Sequence, residues 1–200
     1  MGKIAVFGGT FNPVHIGHVR LAEAFDQALH FDKILIIPTS IPPHKFDEYL
    51  APAEMRMEMC RLAFAHMKNT EVSDIELKRG GKSYSYYTIL RLGELYPSDE
   101  LYFLMGSDMF LSLTTWFNYE KLKKLCVFCA AAREKQEYDR LLQQKAVLEC
   151  GNARCFVLPV RETAVSSTEI REKLAKRLPV DCILPQNVLN YICEQHLYTI

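Results

Sequence analysis

No sign of charge dominates this chain: 24 Lys and Arg face 24 Asp and Glu, for a formal net charge of zero at pH 7. The electrostatic footprint of a protein held along DNA or RNA is therefore missing, and only local basic pockets remain available for anions. Long apolar runs are missing too, none approaching the ~18 residues that a membrane helix needs. The stretch Met1-Gly2-Lys3-Ile4-Ala5-Val6-Phe7 is closed too soon by glycines to read as a signal peptide. Internal repeats, low-complexity segments and linkers are absent. Cysteine is not scarce, but its seven copies (60, 126, 129, 150, 155, 182, 193) are odd in number and scattered. That excludes a disulfide-stapled secreted scaffold and predicts free thiols in a cytoplasmic, reducing setting. Cys126-x-x-Cys129 has the look of a redox or zinc half-site. It lies inside the apolar run 125–132, and no second pair stands at zinc spacing, so small core hydrophobes are the simpler reading.

What is present is ordinary globular composition, 49% hydrophobic, 24% charged and 11% aromatic in 200 residues, which predicts one domain over 1–200. Short apolar runs at 3–8, 33–38, 71–76, 101–105, 126–132 and 155–159 read as buried strands. Between them lie helical patterns at 16–29, 52–66, 86–96, 119–125 and 135–148, with a short helix after Gly106. Two further helices, 168–177 and 185–195, make 165–200 a small helical C-terminal subregion. Strands alternating with helices predict an α/β fold, a Rossmann-like doubly wound parallel sheet with helices on both faces. Ligands of such sheets bind beyond the carboxyl ends of the strands, and the unusual residues of this chain stand there.

The densest constellation is Gly8-Gly9-Thr10-Phe11-Asn12-Pro13-Val14-His15-Ile16-Gly17-His18. Glycines let a backbone approach a ligand, and the loop runs into a helix N-terminus that attracts anions. His15 and His18 stand three apart on one side of that terminus, and Gly17 leaves room for a bulky ligand. Two imidazole donors beside a helix start suit a polyphosphate, where charge builds up as a phosphoryl bond breaks. A plain helix start, with Asn12 as N-cap and Pro13 at the first helical position, leaves the histidines and glycines unexplained. A zinc pair lacks a nearby cysteine or acidic ligand.

About 150 residues on, Val165-Ser166-Ser167-Thr168-Glu169-Ile170-Arg171 carries its own chemistry. Ser166 and Glu169 have capping-box spacing, so Ser167 and Thr168 open a helix, with Arg171 on the same face. Hydroxyls and a guanidinium at a helix start make a second phosphate clamp, although alone the stretch reads equally as a capped helix.

The first motif resembles the signature of the nucleotidyltransferase superfamily with its T/H-x-G-H motif, and the second resembles that superfamily's I-S-S-T-x-I-R. Within it, five more stretches resemble the nicotinate-nucleotide adenylyltransferase family: Pro38-Thr39-Ser40-Ile41-Pro42-Pro43-His44-Lys45, Arg56 with Met59, Asp74-Ile75-Glu76-Leu77, Gly81-Lys82-Ser83-Tyr84-Ser85-Tyr86-Tyr87-Thr88, and Gly106-Ser107-Asp108 with Trp116. A C-terminal stretch, 185–198, resembles the family's tail. Departures are Asn12 for the usual Asp, Ser85 for Thr, and Phe117 after the tryptophan.

The resemblance implies adenylyl transfer from Mg²⁺-bound ATP to nicotinate mononucleotide, giving nicotinate adenine dinucleotide and pyrophosphate, a step of NAD biosynthesis. His15 and His18 are then catalytic. Gly8, Gly9, Thr10, Phe11, Gly106, Asp108, Arg133, Ser167, Thr168 and Arg171 fall to ATP and its phosphates. Asn12, Lys45, Tyr84, Ser85, Trp116 and Phe117 fall to the acceptor, with no metal bound by the protein itself. Each has a plainer reading: Lys45 as a solvated loop lysine, Trp116 as a core aromatic, Asp108 as a helix cap, Arg133 as a surface arginine. Alternatives are the nicotinamide mononucleotide enzyme, transfer to another phosphorylated acceptor, and a nucleotide-binding regulator without turnover. A homo-oligomer is compatible with the sequence; a nucleic-acid or membrane partner is not expected.

Overall fold

The computed structural model describes residues 1–42, 49–132, 134–160 and 165–198. Its strands are β1 (Lys3–Gly9), β2 (Lys33–Pro38), β3 (Thr70–Val72), β4 (Glu100–Gly106), β5 (Val127–Ala132) and β6 (Arg154–Pro159). They form one sheet in the order β3-β2-β1-β4-β5-β6, every pair parallel. Helices α1 (Ile16–Leu29), α2 (Ala53–Phe64), α3 (Ile75–Arg79) and α4 (Ser85–Leu95) belong to the first half. Helices α5 (Ser107–Leu111), α6 (Tyr119–Leu122), α7 (Lys135–Cys150), α8 (Ser167–Ala175) and α9 (Gln186–Glu194) follow β4.

Alternate strand residues point to opposite faces, so a strand covered on both sides must be apolar at nearly every position. Ala5, Phe7, Ile34, Ile36 and Leu104 pack on one face with Phe25 of α1, Met59 of α2 and Val188 and Ile192 of α9. Their neighbours Ile4, Val6, Leu35, Leu101 and Phe103 pack on the other with Ile89 and Leu92 of α4 and Leu141 and Leu148 of α7. Cys126 and Cys129 are fully buried in these cores, and burial pushes both thiols up, as it does that of Cys60. Among the described residues no helix is long and apolar enough to cross a membrane.

The chain lays strands outward from β1 to β3, then returns to β4 on the other side of β1. Loops leaving β1 and β4 therefore diverge, opening a crevice at their carboxyl ends. The C-terminal helices close one side of it. Ile170, Val180 and Leu184 join the same core as Phe7 and Phe25. The Ile16 N–H donates to the carbonyl of Ile183 at 3.1 Å, which holds this segment against the start of α1.

The expected strand over 71–76 is corrected. It ends at Val72, and Ile75–Arg79 is helical. Glu76 turns inward from that helix and is 4% exposed, accepting a hydrogen bond from Thr88 of α4. A tertiary partner for one polar side chain outweighs the strand-like alternation of Ile75 and Leu77.

Candidate active site

Beyond the end of β1 the chain turns sharply through Phe11, whose φ of 48° is left-handed. That turn folds the Phe11 ring back over Gly9. A Cβ at Gly9 would stand 2.9 Å from Cζ of Phe11, so this glycine makes room for the chain's own aromatic. Gly8 differs: its nearest neighbour would be Cζ of Phe103 at 3.7 Å, an ordinary contact, so packing alone does not demand glycine there.

Helix α1 starts at Ile16 with His15 as its N-cap, not at Pro13. Asn12 is not the cap. Its side chain is 2% exposed and spans a different gap, Nδ2 donating to the carbonyl of Tyr49 at 3.0 Å while Oδ1 accepts from the Ala51 N–H at 3.1 Å and the Tyr198 hydroxyl at 2.7 Å. The rings of His15 and His18 lie against each other, centroids 3.7 Å apart and planes tilted by 33°. Nδ1 of His18 accepts from the His15 N–H at 3.2 Å. An Nδ1 that accepts carries no proton, so in the neutral ring the hydrogen resides on Nε2. Phe11 packs edge-on against His18 at 5.0 Å and fixes the ring's plane.

The second motif arrives at the same place. Ser166 caps α8, its Oγ accepting from the Glu169 N–H at 3.1 Å. Ser167 Oγ donates to the carbonyl of Pro13 at 2.9 Å, and Arg171 Nη1 to the carbonyl of Asn12 at 2.8 Å. Residues more than 150 apart in sequence are thus joined main chain to side chain, with Thr168 exposed beside them.

Across the crevice, β4 ends at Gly106, which also caps the five-residue α5, so Asp108 is exposed and is not the helix cap. A Cβ on Gly106 would stand 3.1 Å from Asp108 Oδ1. Trp116 is half-buried, its ring edge-on to Phe103 at 5.8 Å. It therefore lies partly in the core, as its plainer reading supposes, while sharing Phe103 with Gly8. Phe117 is 41% exposed and tilts over Tyr84 at 4.7 Å and Tyr87 at 5.5 Å. Tyr84 precedes α4 and Ser85 opens it, so residues 84, 85 and 117, expected on the acceptor side, do come together. Lys45 and Arg133 lie outside the described residues.

Two residues at this site stood in the family resemblance, Arg56 beside Met59 and Tyr198 in the C-terminal stretch, without an assigned role. Tyr198 reaches Asn12 from the far end of the chain. Arg56 of α2 is 1% exposed and donates to three main-chain carbonyls, those of Ala51, Thr10 and Thr39. Burial lowers its pKa from the usual arginine value. Besides its place in that resemblance, its sequence signal is a cation set among Met57, Met59 and Cys60, positions that are all buried.

Residues 6–173 match the cytidylyltransferase-like family. A relative from Carboxydothermus hydrogenoformans, named as a nicotinate-nucleotide adenylyltransferase, is 39% identical over 98% of each chain. The chain belongs to the nicotinate-nucleotide adenylyltransferase family. A second member of that family, from Fusobacterium nucleatum, is 36% identical over 98% of this chain and 99% of its own. In structure, the nicotinic acid mononucleotide adenylyltransferase of Plasmodium falciparum, solved with NaAD, superposes with a TM-score of 0.81. It covers 99% of this chain and 98% of its own at 18% identity, which shows a shared fold. The family frame thus agrees with the parallel sheet and with the two motifs that meet at the end of β1.

Proposed function

We propose that this protein transfers the adenylyl group of ATP to nicotinate mononucleotide, releasing pyrophosphate and nicotinate adenine dinucleotide. The observation that carries the reading is the convergence of two distant motifs: Ser167 and Arg171 bind the main chain of Pro13 and Asn12, two to six residues from His15 and His18. The names of the relatives, at 33–39% identity over nearly full length, support the acceptor and the reaction.

A phosphate oxygen of the mononucleotide attacks the α-phosphorus of ATP. The bond from that phosphorus to the α,β-bridging oxygen breaks, and pyrophosphate leaves with the bonding pair. The attacking phosphate is already ionised, so positioning and charge stabilisation carry the catalysis and no strong base is required. His18 presents Nε2–H to the charge developing between the α- and β-phosphates, with His15 packed against it. Ser167, Thr168 and Arg171 hold the departing pyrophosphate, and Gly8 lets the nucleotide approach β1. Gly9, Thr10 and Phe11 shape that loop, and Gly106 and Asp108, with Arg133, complete the ATP side. Magnesium enters with the triphosphate as Mg-ATP. Tyr84, Ser85, Trp116, Phe117 and Lys45 form the acceptor side, and Asn12 sets its border.

Pyrophosphate release from Mg-ATP, run with nicotinate mononucleotide, nicotinamide mononucleotide or no acceptor, tests the reading. Release that depends on the acid mononucleotide supports it. Release only with the amide would transfer the chemistry to the other pyridine nucleotide. No release with either, from folded protein that binds ATP, would remove the assignment.

A further inference from the structure

Among the described residues, Arg56 holds a buried cation with no carboxylate as a hydrogen-bond partner. Its Nε donates to the carbonyl of Ala51 at 2.9 Å, Nη1 to that of Thr10 at 2.8 Å and Nη2 to that of Thr39 at 2.8 Å. Taking a guanidinium out of water is costly, and carbonyl dipoles offset the cost less fully than an anion does. A methionine at this position of α2, beside Met57, Met59 and Cys60, would pack without that cost. The guanidinium therefore needs a reason beyond filling space.

The three carbonyls supply one. Thr10 is the first residue beyond β1 and begins the loop leading to His15 and His18. Thr39 is the first beyond β2, and Ala51 stands two residues before α2. A planar guanidinium directs its donors at fixed angles, so a single rigid group sets the spacing of three chain segments. Asn12 repeats the connection from the other side, through Tyr49 and Ala51.

We propose that Arg56 is a positioning residue for adenylyl transfer, registering the loop that receives ATP against the two chain segments, at Thr39 and at Ala51, that border the acceptor. The inference rests on the adenylyl-transfer reading for which side takes which substrate. In-line displacement needs the attacking oxygen and the α-phosphorus in contact along one axis. A shift between the two halves leaves each substrate bound and separates the reacting atoms.

The test compares Arg56→Lys and Arg56→Met with Met59→Ala, a packing control from the same helix. In both Arg56 variants kcat falls by ~10²-fold, the loss expected when reacting atoms are misplaced by about 1 Å. Dissociation constants for ATP alone and for nicotinate mononucleotide alone stay within about three-fold of wild type, because the ground-state contacts of each half survive. Met59→Ala lowers the melting temperature and leaves kcat nearly unchanged. Wild-type kcat in Arg56→Lys, or an equal kcat loss in Met59→Ala, overturns the proposal. Should Arg56→Met fail to fold, Arg56→Lys decides. Amide hydrogen exchange gives a readout that needs no turnover: peptides covering 10–12, 39–42 and 49–52 all exchange faster in Arg56→Lys. Acceleration in one of them only, or in none, overturns the proposal. If the wild-type protein transfers nothing to nicotinate mononucleotide, the functional reading fails, and the exchange result still decides whether Arg56 joins the three segments.

Discussion

Single residues at the end of β1 divide their labour in ways that residue type alone conceals. His18 is held through Nδ1 by the His15 main chain, so the catalytic role proposed for it falls to the Nε2 side. Replacing it with alanine should lower kcat by ~10²–10⁴-fold, the range for removing a preorganised donor to developing charge, with the melting temperature little changed. Steady-state kinetics on the folded variant would check this, and activity within a few-fold of wild type would contradict the role. Gly8 and Gly9 look equivalent in sequence and are not. A methyl group at Gly9 collides with Phe11, whereas at Gly8 it meets only an ordinary contact with Phe103. Gly8→Ala should therefore fold normally, gaining slightly from reduced backbone entropy in the unfolded chain, yet bind ATP more weakly. Calorimetric titration with ATP beside a thermal melt separates the two effects; unaltered ATP affinity would show that the nucleotide does not approach this residue.

At the scale of elements, the amino ends of the strands hold a network remote from the crevice. Glu100 at the start of β4 accepts hydrogen bonds from Tyr102 and from Arg154 of β6. The Tyr102 hydroxyl and the Arg154 guanidinium hold the Glu100 carboxyl below its ordinary value, against an opposing contribution from burial. A carboxylate whose folded pKa is depressed stabilises above its unfolded pKa and loses that contribution as pH falls through the folded one. Glu100→Gln should therefore flatten part of the acid limb of stability below about pH 4.3. The urea midpoint followed from pH 7 to pH 3 gives the answer, and an acid slope identical to wild type would exclude this linkage. Helix α8 shows a second element-level effect. Its cap, Ser166, is legible from spacing alone, while its direction toward β1 comes from Ser167 and Arg171 finding carbonyls on Pro13 and Asn12.

Across the whole molecule, burial sorts the seven cysteines into two classes: Cys60, Cys126, Cys129 and Cys155 are buried, and Cys150, Cys182 and Cys193 are exposed. Burial pushes the Cys155 thiol up to about 12 and raises those of the other three buried cysteines. Thiolate is the reactive form, so a maleimide should modify three sites quickly in the native protein and all seven only after denaturation. Intact-mass spectrometry counts the adducts, and a fourth rapid addition would show that one core cysteine opens. The same contrast between local and global determinants runs through the fold. Strands and long helices were legible because a continuous apolar run or a 3.6-fold apolar period depends only on neighbours in sequence, and β2 and α1 occur at the residues expected. The two motifs proposed to bind phosphate were legible for the same reason, as glycines, histidines and a capping serine act within one turn of the chain. Glu76 was misread because its partner, Thr88, lies twelve residues on and draws it into a helix. Arg56, Asn12 and Tyr198 needed the folded chain most of all. Their partners come from loops up to 186 residues apart, and only the packing of α2, α8 and the C-terminal tail around the end of β1 brings those carbonyls and hydroxyls within hydrogen-bonding reach.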